Sequence, residues 1–188
     1  MRFLVNKKVM PKGDFMRGKI ILNLAMSLDG YIADEKGGFD WIVGDGNSDL
    51  NTTQVWDYEN FLKDIDIVVM GNKCYEQGFH NDFKNKDVYI ATSSKINDYE
   101  NYYFINNNLV KTITDLKNKE KNIFLFGGGV LVNNFIKENV IDEYIIGIIP
   151  TILGKGRKLF LENNPTIDLK LDFYSTSEGI IIMKYSKR

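Results

Sequence analysis

Ile123-Phe124-Leu125-Phe126-Gly127-Gly128-Gly129-Val130-Leu131-Val132 is an apolar run that breaks into three consecutive glycines and resumes at once with helical spacing. It predicts a strand, a turn of bare backbone and a helix N-terminus. Three glycines leave no side chain where a ligand must approach the main chain, and the unpaired N–H groups of a first helical turn attract anions. Gly127, Gly128, Gly129, Val130 and Leu131 are therefore candidate contacts for a phosphate-bearing ligand. The same glycines also suit a tight strand-to-helix connection with no ligand at all. The turn lacks the Lys-Ser/Thr ending of a P-loop, and Val132 stands where a dinucleotide fingerprint needs its third glycine.

The pattern repeats on either side. Residues 19–26, Lys-Ile-Ile-Leu-Asn-Leu-Ala-Met, suit a buried central strand that ends at Ser27-Leu28-Asp29-Gly30. Asp66-Ile67-Val68-Val69-Met70 is a second such strand, ending at Gly71 before a short helix near residues 73–77. A strand over 87–91 ends in Thr92-Ser93-Ser94-Lys95, another strand is expected over 102–105, and a helix over 110–119. After the triple glycine come a strand over 143–150 and a loop, Thr151-Ile152-Leu153-Gly154-Lys155-Gly156. Residues 34–51 read as a long loop containing Trp41, and Ser48 or Asp49 is expected to cap a helix running to about Lys63. The tail alternates over 169–174, turns at Glu178-Gly179 and continues over 180–185, an antiparallel hairpin. Together these predict an α/β fold: a mostly parallel central sheet, helices on both faces and a C-terminal hairpin. In open sheets of this kind ligands gather at the carboxyl ends of the strands. Here those ends carry Ala25, Gly71 and Thr92 as well as the triple glycine.

Composition narrows the function. The 188 residues, 44% hydrophobic and 13% aromatic, suit one domain over 19–188 behind an N-terminal extension, 1–18. A formal charge of −1 with scattered lysines offers no basic stripe for nucleic acid. Cys74 has no disulfide partner and His80 no second histidine, which argues for a reducing cytosol and against a structural metal. No apolar stretch reaches the roughly 20 residues of a membrane span, and residues 1–18 lack a signal-peptide core. The expectation is a cytoplasmic protein that takes a small molecule.

Five ordered motifs carry a resemblance. Ala25-Met26-Ser27-Leu28-Asp29-Gly30-Tyr31-Ile32-Ala33, Val69-Met70-Gly71-Asn72-Lys73-Cys74-Tyr75-Glu76, the triple glycine, Ile141-Asp142-Glu143-Tyr144 and Pro150-Thr151-Ile152-Leu153-Gly154-Lys155-Gly156 together resemble the dihydrofolate-reductase-like family. Within it they are most similar to the branch containing the C-terminal reductase domain of the bifunctional riboflavin-biosynthesis protein. The resemblance implies hydride transfer from NADPH, with NADH left open, to a pteridine, pyrimidine or related small heterocycle. It places the nicotinamide carboxamide at Ala25, the pyrophosphate at Gly71, Asn72, Lys73 and Cys74, and the adenosine ribose and 2′-phosphate at Thr92, Ser93, Ser94 and Lys95. The pyrophosphate and nicotinamide ribose fall at Gly127 to Leu131. Hydroxyls on Ser93 and Ser94 and the charge of Lys95 suit a phosphate monoester, and they suit a polar turn equally.

The chain departs from the family pattern at two places. Asn72 and Cys74 stand where relatives commonly have arginine and threonine, so a guanidinium and a hydroxyl for phosphate are missing. Phe126 stands where riboflavin-pathway reductases have a substrate-binding glutamate. The 5-amino-6-(5-phosphoribosylamino)uracil reductase reaction is thus an alternative, and a non-catalytic nucleotide-binding module is another. Substrate-side candidates are Asp29, which can orient substrate or shape its turn, Trp41, which can cover the ring or plug the core, and Asp57, a carboxylate for polarising a pterin-like ring. A homodimer is implied, with residues 144–149 and the terminal hairpin as contact surfaces.

Overall fold

The computed structural model describes residues 18–188. Along them run β1 (Ile20–Ser27), β2 (Tyr31–Ala33), α1 (Tyr58–Lys63), β3 (Ile67–Gly71), α2 (Asn72–Glu76), a 3-10 turn (Phe79–Phe83), β4 (Asp87–Ala91), β5 (Tyr102–Ile105), α3 (Leu109–Lys117), β6 (Ile123–Gly127), α4 (Gly129–Lys137), β7 (Glu143–Ile149), β8 (Arg157–Lys158), β9 (Leu169–Ser177) and β10 (Ile180–Lys187). The expected extension, 1–18, lies outside the described residues apart from Gly18.

Eight strands form one sheet in the order β5-β4-β3-β6-β1-β7-β10-β9. Pairs from β5 across to β7 are parallel, and β10 is antiparallel to both β7 and β9. Alternating side chains sort onto two faces, as the period of a strand requires. Ile20 and Leu22 of β1, Ile67 and Val69 of β3, and Ile123 and Leu125 of β6 pack under α3 and α4, against Ile113, Val132, Phe135 and Ile136. Ile21, Val68, Met70 and Phe124 point the other way, toward Phe61 of α1, Phe83 and Cys74. Burying each large apolar side chain contributes roughly 1.5–3 kcal/mol. That explains why the near-continuous apolar runs become central strands: both faces of the sheet are covered.

Two expectations need correction, and a third feature was not expected. The helix expected from Ser48 or Asp49 begins only at Tyr58, capped by Asp57, whose carboxylate accepts the Asn60 N–H at 3.0 Å. The segment before it belongs to the hairpin: the Thr52 N–H donates to the Thr176 carbonyl at 3.0 Å, and Asn51 Oδ1 accepts the Glu178 N–H at 2.7 Å. Backbone bonds to β9 hold it out of helical geometry despite its apolar spacing. Second, residues 144–149 are not an open surface, because β7 is interior to the sheet and largely buried. The hairpin edge is β9, where Leu171 and Tyr174 are exposed. Third, Tyr31–Ala33 and Arg157–Lys158 pair as a small second sheet, which no periodicity in such short segments could announce. Gly156 permits that approach: its φ is +148°, and a Cβ there would lie 2.3 Å from the Ala33 carbonyl oxygen.

Among the described residues no helix is long and apolar enough to cross a membrane. Nor does any group of three or more His, Cys, Asp or Glu among them come together to hold a metal ion.

Candidate functional site

The carboxyl ends of β1, β3, β4 and β6 open into one continuous cavity of about 2180 Å³. That exceeds the roughly 300–1,000 Å³ of a typical small-ligand pocket and leaves room for two ligands side by side. Ala25 lines it from β1, Gly71, Asn72, Lys73 and Cys74 from the β3–α2 turn, Thr92 and Ser93 from the end of β4, and Gly128, Gly129, Val130 and Leu131 from the β6–α4 turn. The four strand ends singled out in the sequence thus share one wall.

Two of the turns touch. A Cβ on Gly71 would lie 3.7 Å from the Gly127 carbonyl oxygen and 3.8 Å from the Gly128 nitrogen. Gly127 itself does not line the cavity; its φ of +126° turns the chain so that Gly128 and Gly129 do. The Gly127–Gly128 peptide is cis. No side chain caps α4, so the N–H groups of its first turn remain available on the cavity side. Ser94 and Lys95 also fall off the wall: the Ser94 N–H turns back to Thr92 Oγ1 at 3.1 Å.

The three substrate-side candidates have structural partners instead. Asp29 accepts the Ser27 hydroxyl at 2.6 Å, the Leu153 N–H at 3.1 Å and the Gly154 N–H at 2.7 Å. Its carboxylate ties the β1–β2 turn to the 151–154 loop, and the Ser27 hydroxyl foremost, with the two loop N–H groups, holds its pKa below the ordinary value against a weaker opposing effect of burial. Trp41 donates Nε1–H to the Gly38 carbonyl at 3.3 Å, and Asp57 caps α1. None of the three lines the cavity. Turn-forming and capping roles explain them, because short carboxylates beside free backbone N–H groups are satisfied locally before they can reach a ligand.

Residues outside the motifs build the rest. The 34–57 loop crosses the cavity mouth and is pinned along its length. Asp34 accepts the Gly38 N–H at 2.7 Å, Gln77 Nε2 donates to the Gly37 carbonyl at 3.4 Å, and the Asp45 N–H donates to the Glu178 carbonyl at 2.8 Å. Phe39 from this loop starts a run of aromatic contacts through Phe79, Phe126 and Phe124 to Phe61, each ring centroid 5.2–5.6 Å from the next. Phe126 is therefore a packing residue in an aromatic wall.

Arg157, on β8, brings a guanidinium to the cavity. Its guanidinium lies against Gly37, where a Cβ would stand 2.9 Å from Nη1 and Nη2. It lines the cavity beside Cys74 and forms no hydrogen bond or ion pair among the described residues. Burial pushes the Cys74 thiol up, partly offset by a backbone bond at Gly71 and by the Arg157 charge. Trp56, Tyr58, Ile180 and Ile182 also line the cavity. Burial, with Asp82 nearby, raises the Tyr58 hydroxyl to about 12, so it stays a protonated donor at neutral pH. Asn23 had a sequence signal, as the one amide inside the apolar run of β1, and Tyr58 recurs with Val55, Phe61 and Leu62 at helical spacing; Arg157 stands in no periodic or motif position.

The family model described as the RibD C-terminal domain matches residues 68–181. The chain belongs to the RibD C-terminal domain family. The Bacillus subtilis proteins YwjB and YyaP are 34% and 31% identical to it, over 83% and 89% of this chain and 90% and 94% of theirs. A putative riboflavin biosynthesis protein from Shewanella sp. PV-4 superimposes with a TM-score of 0.74 at 27% identity, covering 90% of this chain and 99% of that one. Dihydrofolate reductase from Enterococcus faecalis, complexed with NADP(H), shares the fold with a TM-score of 0.61 at 17% identity, over 92% of this chain and 98% of its own. The likeness to dihydrofolate reductase shows the fold.

Proposed function

We propose that this protein is an NAD(P)H-dependent reductase that passes a hydride to a pteridine, pyrimidine or related small heterocycle. The observation that carries the reading is a single cavity whose lining combines bare backbone and cationic side chains with aromatic and aliphatic walls. The first set fits a dinucleotide. Gly71 and Gly128 leave the main chain open, the uncapped start of α4 offers N–H donors, and Lys73 and the unpaired Arg157 supply positive charge. A guanidinium without a partner, facing a cavity, suits a phosphate that it can engage through two N–H groups. Thr92 and Ser93 would hold the adenosine side and Ala25 the nicotinamide side.

When bound, the nicotinamide supplies the hydride. The protein's task is to align the two rings and exclude water. Phe39 and Ile42 of the pinned loop line the cavity, and Ala25 with Gly147 adds small residues to its wall. Tyr58 offers a hydroxyl that remains protonated.

A second reading, the reductase step of riboflavin synthesis, is favoured by the likeness to the Shewanella protein. It is opposed by Phe126, whose ring is engaged by Phe79, Phe83 and Phe124. We also propose a cytoplasmic homodimer joined through the exposed hairpin edge, which light scattering on the purified protein tests. The test of the main reading is fluorescence titration with NADPH and NADH. Saturable binding of at least one supports it, and binding of neither overturns it. Binding without oxidation in any pterin or pyrimidine mixture would turn the reading into that of a nucleotide-binding module.

A further inference from the structure

β3 and β4 run parallel with Gly71 opposite Ala91, on strands about 4.8 Å apart, so the next residue on each, Asn72 and Thr92, flanks one corner of the cavity. Ser93 completes that corner, and Ser94 and Lys95 do not line it. The β4 side offers hydroxyls. Thr92 Oγ1 accepts the Ser94 N–H at 3.1 Å, which leaves its proton to donate, and the Ser93 hydroxyl has no partner among the described residues.

The β3 side offers an oriented amide. Asn72 and Glu76 lie one turn apart on α2, and Asn72 Nδ2 donates to Glu76 Oε1 at 2.6 Å. An ionised carboxylate only accepts, so this bond fixes which half of the carboxamide faces Glu76. The other half, Oδ1, accepts no hydrogen bond among the described residues, and Asn72 lines the cavity where Glu76 does not. The corner thus presents an acceptor backed by a negative charge.

The cations have other places. Lys73 shares its side of α2 with Gln77, whose amide donates to the carbonyl of Gly37, the residue that Arg157 lies against. Asn72 and Glu76 sit on the other side with Tyr75, whose hydroxyl meets that of Tyr99, between β4 and β5, at 3.0 Å. Among the other lysines on the cavity wall, Lys111 and Lys155 are ion-paired with Asp115 and Glu35, each at 2.6 Å. Lys137 lies in the last turn of α4, about 12 Å along the helix from its start.

A ribose 2′-hydroxyl can donate to Oδ1. A 2′-phosphate has no proton to give above its second pKa of roughly 6, and it brings close to two negative charges toward Oδ1 and Glu76. A site that pairs a hydroxyl rejects the analogue that lacks it, because its own polar group is left unpaired.

We propose that this protein prefers NADH to NADPH, and that Asn72, oriented by Glu76, is the residue that decides it. This rests on the reductase reading above, with the adenosine ribose at Thr92 and Ser93, and adds the cofactor class to it. Glu76 is a positioning residue that acts through the amide.

Titration calorimetry of the full chain with NADH and with NADPH, at physiological ionic strength, tests the preference. The wild type should bind NADH at least fivefold more tightly. Glu76→Gln frees the amide to rotate and present Nδ2, so the ratio should fall to about twofold or less; a merely structural bond, once lost, would weaken both cofactors together and leave the ratio in place. Asn72→Arg should reverse the preference, since a guanidinium engages the phosphate through two N–H groups. NADPH bound by the wild type as tightly as NADH or more so, a ratio that Glu76→Gln does not move, or an Asn72→Arg variant that still prefers NADH would each overturn the assignment and leave the reductase reading standing. Binding of neither cofactor by the wild type overturns the reductase reading and this assignment with it.

Discussion

Gly129→Ala tests why the second half of the triple glycine must be bare. A Cβ on Gly129 would lie 2.3 Å from the Lys158 carbonyl oxygen, 3.4 Å from its carbon and 3.5 Å from the Leu159 carbonyl oxygen. A comfortable contact needs roughly 3.5 Å, so α4 and β8 must separate by about 1 Å. Both obstacles are backbone, and no rotamer change relieves them. Overpacking of this kind costs about 1–3 kcal/mol, partly offset by alanine's better helix propensity of up to about 1 kcal/mol. A net loss of about 1–2 kcal/mol is expected, a fall of roughly 4 °C in midpoint for a domain of this size. Urea unfolding followed by the fluorescence of Trp41 and Trp56 measures it. Gly71→Ala is the contrast: its Cβ meets nothing nearer than 3.7 Å and its φ is −78°, so stability should hold within about 0.5 kcal/mol. The methyl would, however, sit beside the Gly128 nitrogen and weaken NADPH binding. If Gly129→Ala unfolds at the wild-type urea concentration, close approach of β8 is not what requires glycine there.

Arg157→Gln should weaken NADPH and NADH alike, by about tenfold each, because the group lost is shared by both; a loss confined to NADPH in the same titration would move Arg157 to the 2′-phosphate. Asp29→Ala should lower thermal stability at neutral pH. The folded-state pKa of Asp29 is depressed, so its contribution is present above the ordinary value of 3.8 and is lost as pH falls through the folded pKa. Melting curves of the two proteins should therefore converge in acid, and a gap that persists there would refute the tether to Leu153 and Gly154. Cys74 should alkylate more slowly than a free thiol at neutral pH, since burial keeps it protonated above its usual 9.0, and NADPH should slow it further. Iodoacetamide labelling read by mass spectrometry checks both statements.

What could be read along the chain was whatever a local pattern encodes. Doubly buried strands are apolar at most positions, so β1, β3, β4, β6 and β7 were legible, and glycines mark where several of those strands end because a tight turn or a close approach needs them at that residue. The resemblance was legible for the same reason: its motifs sit at strand ends. Ser48 and Asp49 misled because a cap signal says nothing about a competing partner, and residues 51 and 52 bond to the hairpin well over a hundred positions away.

The sequence by itself determined the α/β architecture, the parallel core and the glycine turns, since alternation and propensity act within a few residues. Only the tertiary structure decided which side chains meet at the site. It took Asp29, Trp41 and Asp57 into turns and a cap, and it brought Asn23, Trp56, Tyr58 and Arg157 to one cavity. Those encounters join segments far apart in the chain, and burial and charge are set by what lies across the cavity rather than by the neighbouring residue.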